Sequence, residues 1–305
     1  MARLSAVCRR TFLIGLLSGV LAAGTLRPAV AEDWPQWRGP EHNGVSRESG
    51  LPIAWAESLG VDWKCKLPEW GNGTPVIHGE AIFLTSHEDD QRLLLLKIDK
   101  SAGKILWTRQ VGTGSTFRDK SERTAEEKRG RQKFHDTQNL ASASAVTDGQ
   151  VVVAHFGNGD LAAYDFDGNR LWHRNLQDDY GRYTIWWGHA NSPVLHGDLV
   201  ISVCMQDSLA DVQAELSPSY VVAHDKRTGE VKWFTPRPTD AVAEYCDSYT
   251  TPLFRKSGDR SEMVVMGGQI LDAYDPVSGR RLWYLPGLVS NRVITGPVAA
   301  HGLVY

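Results

Sequence analysis

The chain has 305 residues, 42% hydrophobic and 23% charged, with a formal net charge of −3. This is an ordinary globular balance with enough apolar material for a large core. A mildly acidic chain carries no electrostatic footprint for nucleic acid, which sets that class of partner aside.

Residues 1–31 have an Arg-rich start, an apolar run from residue 12 to about residue 23, and Ala29-Val30-Ala31 at the end. The run is too short to span a bilayer comfortably, so it predicts a removed export signal and a periplasmic or secreted protein. Arg9-Arg10-Thr11-Phe12-Leu13 resembles the twin-arginine signal, although adjacent arginines also occur in general secretory signals, and the route stays open. These 31 residues hold four Arg and no acid, so the remaining chain carries −7 and no transmembrane segment is expected in it. Cys65, Cys204 and Cys246 are left, widely spaced and without a CxxC. An exported chain can close one disulfide among three cysteines, and spacing does not say which.

Residues 32–59 read as an N-terminal extension opening on "DWPQWRGPEHNGVS" (33–46). "GVDWKCKL" (60–67) then reads as a strand bearing Trp63. Four repeats follow, at about 73–112, 140–177, 190–236 and 248–286, with a partial fifth at 293–305. Each repeat begins with two apolar runs around a tight turn, as in "GTPVIHGEAIFLTS" (73–86) and "NSPVLHGDLVISV" (191–203). Gly at such turns supplies the positive φ that a hairpin needs. Each repeat then has a strand ending in Asp, a Gly turn and a strand containing Trp. The sets are Asp99, Gly103 and Trp107; Asp165, Gly168 and Trp172; Asp225, Gly229 and Trp233; Asp275, Gly279 and Trp283.

Four antiparallel strands recurring every 50 to 66 residues, with almost no helical signal, predict an all-β protein built of β-propeller blades. Asp at the strand end can accept turn N–H groups and Gly can take the left-handed position. The broad indole suits packing between neighbouring blades. The repeated Asp, Gly and Trp residues, with Trp63, are therefore expected to be structural joints. His78, His196 and His301 sit in equivalent turns and so are too far apart to share a metal.

The pattern resembles the PQQ-like propeller repeat, in which a strand ending Ala-x-Asp is followed by a Gly turn and a Trp. Ala163, Ala223 and Ala273 fit the Ala position, and Lys97 departs from it. The resemblance covers nearly all of 33–305. It extends both to quinoprotein alcohol dehydrogenases and to the BamB-type scaffold of outer-membrane assembly. In such rings an N-terminal strand closes the last blade, the role expected for 60–67. Four blades, a closing strand and a broken fifth unit predict a fragment of a seven- or eight-bladed ring.

Propellers place ligand sites on the loops that lead into the innermost strands. Here those loops carry His135, Asn139, Trp187, His189, Asn191, Tyr245, Asp247, Tyr249, Asn291 and Arg292. They are the candidates for binding a small polar ligand or a peptide at the channel mouth. The resemblance implies PQQ and calcium as the cofactors to test; Trp187 could serve as a floor and Asp247 as a base, although neither sits in a motif that matches those enzymes. The chain lacks the adjacent cysteine pair that many of those enzymes carry, and it has no HExxH motif. The charged segment 114–136 and the segment 205–219 read as excursions on the rim. The expectation is an exported, non-catalytic binding or scaffolding module. Its rival is a PQQ- and calcium-dependent quinoprotein oxidoreductase acting on an alcohol or sugar.

Overall fold

The computed structural model describes residues 32–88, 92–114, 139–181, 183, 185, 187–206, 219–242 and 245–305. The signal segment 1–31 and most of both excursions lie outside these residues. Four antiparallel sheets follow the four repeats, each with its strands in chain order. The first holds β1 (Val76–His78), β2 (Ala81–Glu88), β3 (Arg92–Asp99) and β4 (Ile105–Gly112). The second holds β5 (Val146–Thr147), β6 (Val151–His155), β7 (Asp160–Asp165) and β8 (Arg170–Asn175), and a short helix α1 (Leu176–Tyr180) follows it. The third holds β9 (Val194–His196), β10 (Leu199–Cys204), β11 (Tyr220–Asp225) and β12 (Val231–Pro236). The fourth holds β13 (Leu253–Ser257), β14 (Arg260–Gly267), β15 (Ile270–Tyr274) and β16 (Arg281–Pro286). A two-stranded hairpin, β17 (Ala299–Ala300) and β18 (Leu303–Val304), comes last.

The first strands of successive sheets lie side by side, β1 against β5 and β5 against β9. The second and third strands are the most buried, and the fourth strands carry most of the exposed positions. First strands on the axis and fourth strands on the rim make this an all-β propeller. Successive side chains on a strand face opposite ways, so each middle strand feeds two cores. Val152 and Ala154 join Phe83, Leu93, Leu95 and Tyr164 between the first and second sheets. Val151 and Val153 join Val200, Tyr220, Val222 and Trp172 between the second and third. Each fully buried side chain of this size contributes about 1.5–3 kcal/mol.

The repeated motif appears four times as one geometry. The Asp carboxylates accept turn amides: Asp99 from Ala102 at 2.7 Å, Asp165 from Asn169 at 2.8 Å, Asp225 from Arg227 at 2.9 Å and Asp275 from Val277 at 2.9 Å. In the first three repeats the Trp indole N–H reaches forward to the next repeat and donates to the carbonyl of the residue after its Asp. Trp107 donates to Phe166 O at 3.1 Å, Trp172 to Lys226 O at 2.9 Å and Trp233 to Pro276 O at 3.2 Å. A Cβ on Gly229 would stand 2.7 Å from the Trp172 ring, and one on Gly279 would stand 2.4 Å from Trp233. These glycines are therefore needed for close approach as well as for φ. The second turn is one residue shorter, and there Arg109 covers Gly168 while donating to its carbonyl at 2.6 Å.

Residues 60–67, expected to close the last blade of a full ring, take no strand form among the described residues. A strand exists through its ladder, and no described segment pairs with these residues. Trp63 nevertheless makes the same joint as the other indoles, donating to Lys100 O at 2.9 Å and covering Gly103. Trp283, whose joint would fall on a next turn, instead donates to Glu262 Oε2 at 3.1 Å.

Residues 33–44 form a strap across the axis at its hairpin-turn end. Trp34 and Ile77 exchange backbone hydrogen bonds, and Thr147 N donates to Pro35 O. The His42 ring meets Phe254 edge-on at 5.2 Å, and Arg38 Nη1 donates to Gly296 O and Pro297 O at 3.2 Å. One short segment thus touches the first, second and fourth sheets and the last hairpin.

Candidate functional site

At the other end of the axis, the loops leading into the first strands interlock through a belt of hydroxyls. Thr74 N donates to Ser144 Oγ at 2.8 Å, Ser144 N to Ser192 Oγ at 3.0 Å, and Ser192 N to Thr251 Oγ1 at 3.1 Å. Each hydroxyl stands two residues before the first strand's Val or Leu, at one height in each sheet. The loop of the fourth sheet pairs in turn with the loop before the last hairpin, through a parallel bridge between Ser248 and Val293. Sequence reasoning missed this belt.

The ten candidates do not form one open ring. His135 lies outside the described residues. Asn139, His189, Asn191 and Asp247 are buried, Tyr249 and Arg292 are half-buried, and Trp187, Tyr245 and Asn291 are exposed. The Arg292 guanidinium sits over the Trp187 ring, 5.2 Å from its centre. Large polar side chains gather on the third and fourth loops. The positions of the first two loops equivalent to His189 and Asn191 are small: Gly71 and Gly73, then Ala141 and Ala143.

Beneath the third loop lies a buried polar cluster. The rings of His155 and His189 are 4.4 Å apart, and Tyr183 stacks on His189 at 4.8 Å. The Tyr183 hydroxyl is 3.2 Å from His155 Nε2. His189 Nε2 is 3.0 Å from Val203 O, so that nitrogen carries the hydrogen and donates it. Burial pushes the pKa of His189 down to about 4, and His224 follows to about 4 for the same reason. His155 is driven well below the usual imidazole range by burial and by the neighbouring His189. Burial also raises the Cys204, Tyr183 and Tyr220 groups that face this cluster. All three imidazoles are thus neutral near pH 7. His155 was not a candidate; its only signal was a polar residue ending the run "VVVAH".

Three atoms at the mouth have no partner among the described residues: Asn139 Nδ2, His189 Nδ1 and Asn191 Oδ1. Asn191 uses its amide nitrogen to donate to Thr250 O at 2.6 Å, and Asn139 Oδ1 accepts Ala141 N at 2.8 Å. A buried amide or imidazole atom without a partner is costly and marks a place for water or a ligand. On the opposite end, the strap leaves a cleft of about 450 Å³ lined by Asp33, Gln36, His78 and Asp148. There Asp33 accepts from Gly79 N and lies 3.1 Å from His78.

A calcium–quinone centre was tested against these residues. Calcium takes six to eight oxygens, commonly from several carboxylates. Asp247 is the one carboxylate among the described candidates, and no described group of three His, Cys, Asp or Glu residues is placed to hold an ion. The described residues do not compose such a centre. The three cysteines of the described region are free thiols, so the single disulfide considered from sequence is not formed among them.

Fold and repeat together define a β-propeller of the PQQ-like class. The chain belongs to the family described as outer membrane protein assembly factor BamB, whose model matches residues 44–215. Quinohemoprotein alcohol dehydrogenase from Comamonas testosteroni has a similar structure, with TM-score 0.59 and 17% identity over 85% of this chain and 41% of its own. A europium-containing methanol dehydrogenase gives TM-score 0.52 and 12% identity over 84% of this chain and 49% of its own. BamB from Moraxella catarrhalis gives TM-score 0.46 and 14% identity over 78% of this chain and 57% of its own. The chain thus spans about half the length of these structures, and at such identities the likeness is one of fold. No curated protein matches it. Among the described residues, no helix is long and apolar enough to cross a membrane.

Proposed function

We propose that this protein is an exported, non-catalytic propeller that binds a small polar ligand or a peptide at its channel mouth and acts as a scaffold. The observation that carries this reading is the division of labour at the mouth. The groups suited to proton transfer, His189 and Asp247, are 1% and 0% exposed. Those that reach solvent, Trp187, Tyr245 and Asn291, are recognition side chains. A general acid or base must come within hydrogen-bond reach of its substrate, whereas exposed aromatic and amide groups suit binding. The family's description as an assembly factor is in line with a scaffold. The Arg-rich apolar start supports export to the periplasm or beyond.

The test is to incubate the full-length protein with PQQ and calcium, then follow the bound-quinone spectrum and dye reduction with alcohols and sugars. Neither signal is expected; saturable quinone binding with turnover would establish the oxidoreductase instead. In parallel, a peptide array is probed with the wild type and a Trp187→Ala/Tyr245→Ala variant. Peptides held by the wild type and lost by the variant support the mouth as the binding surface. Equal retention removes it from that role.

A further inference from the structure

The cleft under the strap has a chemistry of its own. Its volume of about 450 Å³ suits a small molecule or one side chain of a larger one. Three of its lining residues are acids, Glu32, Asp33 and Asp148, and none is Lys or Arg. Asp148 is already paired, with Lys226 Nζ 2.9 Å from its Oδ2. Glu32 Oε2 accepts Arg47 N at 2.9 Å, but neither Glu32 nor Asp33 meets a Lys or Arg side chain among the described residues. Asp33 is held in place by the turns of the first two sheets. Its Oδ1 accepts Gly79 N at 2.7 Å, and its Oδ2 lies 3.1 Å from His78 Nδ1. The His78 ring in turn lies against Gly149, where a Cβ would stand 2.3 Å from Nε2.

Gln36 supplies a second, separate observation. It is 8% exposed and forms part of the cleft wall. Its Nε2 donates to Gly39 O at 3.2 Å and stands 2.8 Å from His42 Nε2. Gly39 O is an acceptor, so the atom facing it must be the amide nitrogen. The amide oxygen of Gln36 is therefore turned away from the strap's own turn, and it accepts from nothing among the described residues. A buried amide oxygen in this state calls for a donor. The uncompensated carboxylates add that the donor be positive. A metal ion is poorly matched, because no described group of three His, Cys, Asp or Glu residues is placed to hold one. Pro35, Pro40 and Leu195 complete the wall with apolar surface, which suits an alkyl stem.

We propose that the cleft under the strap binds a primary alkylammonium group, carried by a free amine or by a lysine side chain. An ammonium has three N–H donors. Glu32, Asp33 and the Gln36 amide oxygen are their acceptors, while the prolines and Leu195 cover the stem. The site lies at the opposite end of the axis from the mouth, so it stands or falls independently of the mouth reading.

The experiment is calorimetric titration of the full-length protein with n-pentylamine, and separately with acetyl-Gly-Lys-Gly-amide. Ionic strength is held constant at about pH 7, where an alkylamine is protonated. One saturable site is expected for at least one probe, and the probe that saturates identifies the source of the ammonium. 1-Pentanol, which keeps the stem without the charge, should not saturate. Asp33→Asn retains an acceptor for Gly79 N but removes the charge, and should weaken binding by about tenfold or more. Glu32→Gln should weaken it several-fold. Asp259→Asn, which removes an acid from an exposed turn of the fourth sheet, should leave it unchanged. The site is overturned if neither amine saturates, if 1-pentanol binds as well as n-pentylamine, or if affinity is indifferent to Asp33→Asn. Should Asp33→Asn fail to fold, Glu32→Gln decides, and unchanged affinity there overturns the site.

Discussion

Arg237 and Asp272 meet across the seam between the third and fourth sheets with both side chains out of water, 1% and 0% exposed. Arg237 Nη2 donates to Asp272 Oδ1 at 2.9 Å, and Nε donates to the same oxygen at 3.1 Å. Gly267 O, Ile270 O and the Tyr274 hydroxyl complete the network at 2.7–2.9 Å. Removing one partner strands the other charge in the interior. Arg237→Met should therefore cost about 3–5 kcal/mol in urea denaturation. Adding Asp272→Leu should recover part of that loss, because no unpaired ion remains.

The Trp172–Gly229 joint predicts a second pattern. Gly229 has φ 72, and its Cβ position collides with the indole. Gly229→Ala should cost about 1–2 kcal/mol for the left-handed backbone alone, with the collision added. Trp172→Phe should be milder, losing chiefly the hydrogen bond to Lys226 O, worth about 1 kcal/mol. A Gly258→Ala control shares the positive φ but has open space around it. The difference between the two Gly variants, read from denaturation midpoints, isolates the packing part.

Stability should fall on mild acidification, before the carboxylates titrate. His42, His189 and His224 have folded-state pKa values of about 4, against about 6.5 unfolded. Between these values the unfolded chain binds more protons, so stability declines as pH drops from about 6.5 to about 4. The loss is roughly 3 kcal/mol at most for each fully buried imidazole. A second loss follows below about pH 4, where Asp165, Asp225 and Asp275, whose pKa values are lowered by turn amides, are protonated. Replacing His189 with Gln should flatten the first phase and leave the second. A single phase below pH 4 in the wild type would contradict this account.

Thiol chemistry gives a simple check on the described region. Cys65 is partly exposed, while Cys204 and Cys246 are buried. In a chain lacking residues 1–31, one thiol should react quickly with an aromatic disulfide reagent. Two more should react only after denaturation, and prior reduction should not raise the total.

The joints were legible in the sequence because each uses one residue type at one spacing. The belt was not, because its residue is Thr, Ser, Ser and Thr, and its partner is a backbone amide that any sequence supplies. Depth was equally hidden. Trp187 and His189 stand two positions apart in one loop, yet the first meets solvent and the second lies under Tyr183. A loop has no period from which to read which side faces in. Residues 60–67 alternate like a strand, but alternation cannot provide the ladder that makes one.

The direction of the indole joints has a consequence for synthesis. Trp63, Trp107, Trp172 and Trp233 precede their receiving carbonyls by 37, 59, 54 and 43 residues. A chain made from its N-terminus releases every indole well before the turn that receives it. Each sheet therefore waits, with one rim aromatic uncovered, for its successor to emerge. Order is imposed from front to back, and a pause within any repeat leaves the previous one open at the same point.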